Sequence, residues 1–390
     1  MAEPIAFIDL QAQRARLGDA VETAVLDVVR SGRWILGPEV EACERELAEF
    51  AGAKHCLTAA SGTDALALAL MALGLRPGDA VVCPAFTFAA TAEVIAWLGA
   101  APVFADVDPA TFNLDVASAA RAITTAREEG LTPRGIIPVD LFGQPADHAE
   151  IGALAEAEGL WVLDDAAQAF GASYGDRRLG TRARLTATSF FPAKPLGCYG
   201  DGGALLFDDD DLVEPLTSLR VHGQGGDKYD NVRIGMNGRM DAIQCAVIRQ
   251  KLTIFEDEIA RRQRVAETYA HGLGDVVTVP AVKPDRRSVW AQYTLRLPPG
   301  ADRDEFQAAL KARGVPTAVY YGRPMHRQTA YARYPVAAGG CPAAEDLAAR
   351  VVSLPMHPYL SGEQQARVVA AVRAAVGAID ARTPRTKATS

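Results

Sequence analysis

No apolar run in the 390 residues approaches the roughly 18 that a membrane span needs, and the start, Met1-Ala2-Glu3-Pro4, has no basic segment followed by an apolar one. A cytoplasmic protein is expected. Positive charge is in deficit, with 40 Lys and Arg against 48 Asp and Glu and a net charge of -8, which argues against a nucleic-acid footprint. The six cysteines, Cys43, Cys56, Cys83, Cys198, Cys245 and Cys341, show no CxxC spacing, and no pair of histidines has metal-ligand spacing. Neither a disulfide framework nor a metal site is expected, and the cysteines read as small core residues. No GxGxxG turn follows the first strand-like run, so a nucleotide-dependent dehydrogenase lacks its fingerprint. A metabolite sensor acting on DNA would need a helix-turn-helix extension or a basic arm, and neither is present.

Lysine is scarce too. Of the seven, six read as solvated residues in polar or loop-like sequence. Lys194 differs, because Phe190, Phe191, Pro192, Pro195 and Leu196 flank it. Burial there would strip its hydration, lower its pKa from about 10.4 and free an amine to attack a carbonyl. The alternative is an ammonium that snorkels to water past the aromatic rings.

The remainder has ordinary globular composition, 49% hydrophobic and 23% charged, at a length that suits one large α/β domain and a smaller one. Short apolar runs at 55–59, 80–83, 103–105, 135–140, 160–164, 185–190 and 203–207 alternate with helical periodicity at 63–73, 89–98, 116–127 and 148–157. This βαβ rhythm predicts a mostly parallel central sheet with helices on both faces, whose ligand site lies outside the carboxyl ends of the strands. One long helix is expected from about 240 to 272. Beyond it, a strand at 288–297, a helix at 303–313, a strand at 317–321 and a helix at 362–379 suggest an α+β domain. The expected organisation is an N-terminal arm over 1–35 containing one helix at 11–30, a large domain over 36–250, a small domain over 251–382 and a flexible tail over 383–390.

Four constellations sit where those strands end. Ser61-Gly62-Thr63-Asp64 opens a helix, an arrangement that suits either a phosphate or plain N-capping by Ser61 or Thr63. Phe88 is placed either to stack on a planar ligand or to pack in the core. Asp164 and Asp165, with Gln168 three residues past the second, put carboxylates and an amide at the sheet edge, where they want a cation or serve as helix caps. Ser189 precedes Lys194 by five residues, and Gly200-Asp201-Gly202-Gly203 follows it. Together they suit a phosphorylated aromatic aldehyde cofactor.

With these motifs, and with Phe7-Ile8-Asp9-Leu10, Ile35-Leu36-Gly37-Pro38-Glu39-Val40 and Leu354-Pro355-Met356-His357-Pro358-Tyr359, the chain resembles the DegT/DnrJ/EryC1/StrS sugar aminotransferases over most of its length. The resemblance implies fold type I and pyridoxal 5'-phosphate, with Lys194 bound covalently to the cofactor aldehyde and Asp165 paired with the pyridinium nitrogen. It further implies Gln168 on the phenolic oxygen, Phe88 on the ring, Gly62, Thr63 and Ser189 on the phosphate, and Asn237 reaching the phosphate of a neighbouring subunit in a homodimer. Some family members carry histidine in place of this lysine and dehydrate sugars, so a lysine points to amino transfer. The run Lys194-Pro195-Leu196-Gly197-Cys198-Tyr199-Gly200-Asp201-Gly202-Gly203 resembles members that aminate a 3-keto sugar. Among those it is most similar to enzymes acting on UDP-2-acetamido-3-oxo-glucuronic acid with L-glutamate as donor, in polysaccharide biosynthesis; C3 or C4 amination of a dTDP- or UDP-linked keto-deoxysugar is the alternative. A non-catalytic regulatory protein that binds the cofactor is the alternative of another class. Arg239 is then placed either to hold the uronate or to face solvent or Asp241. Tyr321 and His326 lie where family members contact the nucleotide sugar, although His326, like His222 and His357, also reads as an ordinary histidine.

Overall fold

Gly18 divides the expected N-terminal helix in two. The computed structural model describes residues 3–380 except 228, so the expected tail lies outside the described residues. In it Leu10–Leu17 (α1) stops at Gly18, whose φ of 58° lies in the left-handed region and whose N–H bonds back to Arg14 and Ala15. Asp19–Ser31 (α2) then starts afresh, and Pro38–Ala51 (α3) follows with proline in its first turn, where a missing N–H costs nothing.

Seven strands form the central sheet: His55–Ala59 (β1), Asp79–Pro84 (β2), Ala101–Ala105 (β3), Thr132–Ile136 (β4), Trp161–Asp165 (β5), Leu185–Ser189 (β6) and Gly203–Phe207 (β7). Their order is β1-β7-β6-β5-β4-β2-β3, and β7 alone runs antiparallel to its neighbours on both sides. The five strands β2 to β6 are parallel, and Val81, Val82 and Cys83 in β2 are buried on both faces, as such sheets require. Gly62–Ala72 (α4), Ala89–Trp97 (α5), Val116–Glu128 (α6), His148–Glu158 (α7) and Val213–Arg220 (α8) pack around it. This is the fold type I arrangement of a mostly parallel sheet between helical layers. The run expected as a strand to Asp140 is continuous strand only to Ile136, where Pro138 offers no N–H to the ladder, and it keeps one further parallel bridge, Val139 to Asp165.

Ala242–Leu273 (α9) is the long helix. Its first half packs Cys245, Ile248, Phe255 and Ile259 against the sheet layer with α2 and α3; its second half packs Val265, Tyr269 and Leu273 against Tyr293 and Phe306 of a separate cluster. That second cluster is built on Tyr293–Arg296 (β8), Arg303–Ala312 (α10), Val351–Leu354 (β9) and Gly362–Asp380 (α12), with β8 and β9 antiparallel, whereas Pro342–Arg350 (α11) packs Ala344, Leu347 and Ala348 into the core around the central sheet. The strand expected at 317–321 is a single bridge from Ala318 to Ser353, and that expected at 288–297 is ordered as strand only over β8.

One expectation about lysines is overturned. Lys251 on α9 is not solvated but fully buried.

Candidate active site

The strand ends converge as the parallel order demands. Ser61 caps α4 by accepting the Asp64 N–H at 3.0 Å, which turns the free N–H groups of the first helical turn toward the end of β6. There Gly62 and Ser189 touch: a Cβ on Gly62 would stand 2.6 Å from the Ser189 Cβ. Gly203, paired with both Ala59 and Ser189, is equally constrained, since its Cβ would meet Ser61 O at 2.5 Å. Two glycines thus let the turn, β7 and β6 close into a cradle, with Thr63 half-buried at its rim.

Asp165 ends β5, in register with Ala187 of β6. Its carboxylate is buried and accepts Thr91 Oγ1 at 2.8 Å and the Ala167 N–H at 3.2 Å. Burial pushes its pKa up, and the two hydrogen bonds and the charge on Lys194 oppose that rise. Lys194 lies on the turn after β6, half-buried, with part of its stem open to the cleft and protein crowding the amine. Desolvation lowers its pKa to about 8, against the attraction of Asp165.

Gln168 is buried beside them. Its Oε1 accepts the Phe142 N–H at 2.7 Å and its Nε2 donates to the Tyr321 hydroxyl at 3.0 Å. Phe142 has a φ of 60°, costly for an aromatic residue, and this conformation delivers its N–H to the glutamine. Phe88 is 56% exposed, unusual for its type, and its ring centroid lies 6.3 Å from that of Tyr321. Tyr321, expected at the substrate end, therefore joins the Gln168 and Phe88 group, and burial pushes its phenol up.

The other expected residues lie apart. Asn237 is exposed on the segment alongside the β1–α4 turn, where Gly238 O accepts the Ala60 N–H at 2.9 Å. Arg239 precedes α9 rather than opening it; it is half-buried, and its Nε has no partner among the described residues. His326 is buried, with Nε2 3.0 Å from Glu345 Oε1. Thr91 and Phe142 were missed by sequence reasoning. Thr91 stands three residues past Phe88, on the same helical face, and that spacing was the available signal.

Behind Asp165, Asp140, His148 and Asp164 bring three donor atoms within 4.8 Å, all buried. His148 Nε2 is 3.0 Å from Asp140 Oδ1, which also accepts the Ala146 N–H at 2.6 Å. Desolvation, then Asp140 and Asp165, hold the Asp164 carboxyl well above the usual range. In the cluster the His148 imidazole lies against both acids, 3.0 Å from Asp140 and 3.9 Å from Asp164, whose other oxygen accepts Thr186 Oγ1 at 3.5 Å.

The model of the DegT/DnrJ/EryC1/StrS aminotransferase family matches residues 16–373. The chain belongs to this family. It is 47% identical over 359 residues to a UDP-2-acetamido-2-deoxy-3-oxo-D-glucuronate aminotransferase of Pseudomonas aeruginosa, covering 91% of this chain and 96% of the relative. Among solved structures, a family aminotransferase from Brucella abortus is 49% identical with a TM-score of 0.93, over 96% of this chain and 100% of that one. DesV of S. venezuelae, solved in complex with a ketimine intermediate, is 38% identical with a TM-score of 0.90, over 96% and 99%.

As a DegT/DnrJ/EryC1/StrS aminotransferase the protein is an enzyme that depends on pyridoxal 5'-phosphate. The residues present fit that group. At Gly62 the turn and Ser189 approach so closely that a Cβ has no room, the buried Asp165 carboxyl and the Lys194 amine attract each other, and the Phe88 ring stands more than half exposed at the start of the helix that carries Thr91. No helix among the described residues is long and apolar enough to cross a membrane.

Proposed function

We propose that this aminotransferase moves an amino group from L-glutamate to the C3 ketone of UDP-2-acetamido-2-deoxy-3-oxo-D-glucuronate. The observation that carries amino transfer is Lys194, an amine lowered to about 8 and set against Asp165 at the carboxyl edge of the sheet. The sugar rests on the 47% identity to the Pseudomonas aeruginosa enzyme and on the Lys194–Gly203 run. A cleft of about 610 Å³ adjoins the Ser61-Thr63 turn and is lined by Trp97, Tyr331 and Tyr334, with Arg333 and the carboxylates of Asp64 and Glu93 among them; its aromatic rings suit a nucleobase.

Pyridoxal 5'-phosphate, when bound, supplies a reactive aldehyde and an electron-withdrawing ring. In this reading Gly62, Thr63, Ser189 and the N-terminal N–H groups of α4 hold its phosphate. Phe88 would cover the ring, Gln168 would orient its phenolic oxygen, and Asp165 would pair with the ring nitrogen and favour its protonated form. Lys194 would hold the aldehyde end of the group. Its neutral Nζ would also be placed to take a proton from the substrate carbon and to give one back. Arg239, whose Nε has no partner among the described residues, would hold the uronate carboxylate, with Tyr321 beside Gln168 and His326 beside Glu345 as the further residues assigned to the sugar.

The proposed assembly is a homodimer in which the partner subunit's Asn237 completes the phosphate site. Supporting it, Trp34, Ile35, Phe191 and Ile234 are all more than half exposed on one chain, an apolar load that wants a partner. Six free cysteines suit a reducing, cytoplasmic compartment.

The test uses the yellow, cofactor-loaded protein. Glutamate should bleach its visible band and release 2-oxoglutarate, and a UDP-linked 3-keto uronate should restore the band; Lys194→Ala should never colour. Restoration by a 4-keto or dTDP-linked sugar in preference to the UDP-linked 3-keto uronate overturns the substrate, and no bleaching by glutamate overturns the donor.

A further inference from the structure

Lys251 is a lysine with no exposed surface, seated midway along α9 with its Nζ 2.6 Å from Gly197 O and 4.3 Å from the centroid of the Tyr199 ring. Burying an ammonium is costly, and a methionine or leucine would fill the same volume without that cost. The contacts it makes show what the cost is spent on, because Gly197 is three residues past Lys194 on the same turn.

That turn is poor in donors of its own. Pro192 and Pro195 have no N–H, and the Lys194 N–H bonds locally to Phe191 O at 2.8 Å. Its far side is therefore tied to other elements. The Cys198 N–H reaches Phe190 O at 2.7 Å, and the Tyr199 N–H reaches Gln244 Oε1 at 2.9 Å. Gln244 and Lys251 are seven residues apart on α9, two turns along one face, so the helix grips the turn at two points. Gly197 is held from the other side as well, since a Cβ there would stand 2.6 Å from Phe191 O and from Pro192 O. Between Gly197 and Lys194 lie only Leu196, which is 1% exposed, and Pro195, whose φ is fixed by its ring. Fixing the Gly197 carbonyl fixes the Lys194 Cα.

We propose that Lys251 is a positioning residue for Lys194: its hydrogen bond to Gly197 O and its seat on the Tyr199 ring lock the turn that aims the Lys194 amine into the cleft. The proposal rests on the reading of Lys194 as the residue that bonds the cofactor. Desolvation lowers the Lys251 pKa to about 8, with Cys198 and Glu258 opposing, so near neutrality the ammonium and its grip on the carbonyl persist.

The test follows the full-length protein, freed of cofactor, as it regains its visible band on mixing with pyridoxal 5'-phosphate. At saturating cofactor the limiting rate reports how often Lys194 Nζ reaches the aldehyde carbon to form a carbon–nitrogen bond with loss of water. Borohydride trapping and peptide mass mapping identify the residue bonded. In Lys251→Met the limiting rate should fall about tenfold while half-saturation by the cofactor stays within about twofold, because a misaimed amine costs rate without removing the phosphate site. Tyr199→Leu, at a residue 41% exposed and safe to fold, should fall in the same direction by about threefold. A lower Tm with an unchanged limiting rate in Lys251→Met reduces the lysine to a structural role and overturns the proposal. Should that variant not fold, an unchanged rate in Tyr199→Leu overturns it. Trapping at a residue other than Lys194 in the wild type overturns the Lys194 reading itself, a result distinct from either.

Discussion

Thr91 Oγ1 donates to Asp165 Oδ2 at 2.8 Å, so the buried carboxylate of β5 is held by the helix that also carries Phe88 at its start. The bond opposes the rise that burial imposes on Asp165. Thr91→Val keeps the shape and removes the donor, and the anion then loses a charge-assisted hydrogen bond worth about 2 kcal/mol. Cofactor affinity, measured by fluorescence titration near neutral pH, should weaken by more than tenfold; an unchanged Kd means that Asp165 does not act as an anion toward the ring.

Asp165 also carries a pH signature. Its folded pKa is raised above the ordinary value near 3.9, so the folded state binds the proton more tightly than the unfolded chain does. The ionised group therefore detracts from stability above its folded pKa, and the deficit shrinks as pH falls through that pKa and vanishes below the ordinary value near 3.9, where the acid is neutral in both states. Asp165→Asn should raise the Tm of the cofactor-free protein at about pH 8, with an advantage that closes toward about pH 4, while activity is lost. Calorimetry across that range checks it, and a Tm difference that is flat with pH contradicts the buried anion.

Sequence alone placed the seven strands of the sheet to within a few residues, because each is an apolar run cut off by a residue with a job at the edge: Ser61 after β1, Pro84 at the end of β2, Asp165 and Ser189 closing β5 and β6. It missed α8 and α11, of eight and nine residues, and also α3, a 14-residue amphipathic helix, although Pro38 and Pro342 marked two of their starts. Gly18 passed as a helix interior because only its positive φ reveals the break. The grouping of Gln168 with Tyr321 spans 153 residues and had no local signal. Lys251 did have one, since it falls in the stripe Ile248, Phe255, Ile259 that the structure buries, and a charged residue inside an apolar stripe asks for a partner.

Gly62 permits a test that separates phosphate from ring. Gly62→Ala drives a methyl into Ser189, whose Cβ would be 2.6 Å away, and so displaces the turn that faces the phosphate. Binding of pyridoxal 5'-phosphate should weaken by at least about tenfold, in line with loss of one or two charge-assisted hydrogen bonds, whereas pyridoxal without the phosphate should bind both proteins alike. Equal weakening for both ligands means that the cradle serves the fold rather than the phosphate.

The proposed sharing of sites between subunits has a genetic readout that does not depend on knowing the sugar. Asn237 is exposed and beside its own β1–α4 turn, so a role at the phosphate within one chain competes with a role across a dimer. Lys194→Ala has no anchoring amine, and Asn237→Ala should lose about tenfold in cofactor affinity by the cost of one hydrogen bond to a charged group. Mixed dimers of the two variants contain one site with a native Lys194 and the partner subunit's native Asn237, and a second site with neither. Random assembly makes half of all dimers mixed, so unfolding and refolding the two together should restore about a quarter of wild-type half-reaction activity with glutamate, more than the variants give apart. If Asn237 acts within its own chain, no mixed site is complete and the mixture shows only the average of its parents. Ile234→Asp, at a side chain 92% exposed in one chain, should shift the dimer toward monomer in sedimentation and abolish that gain.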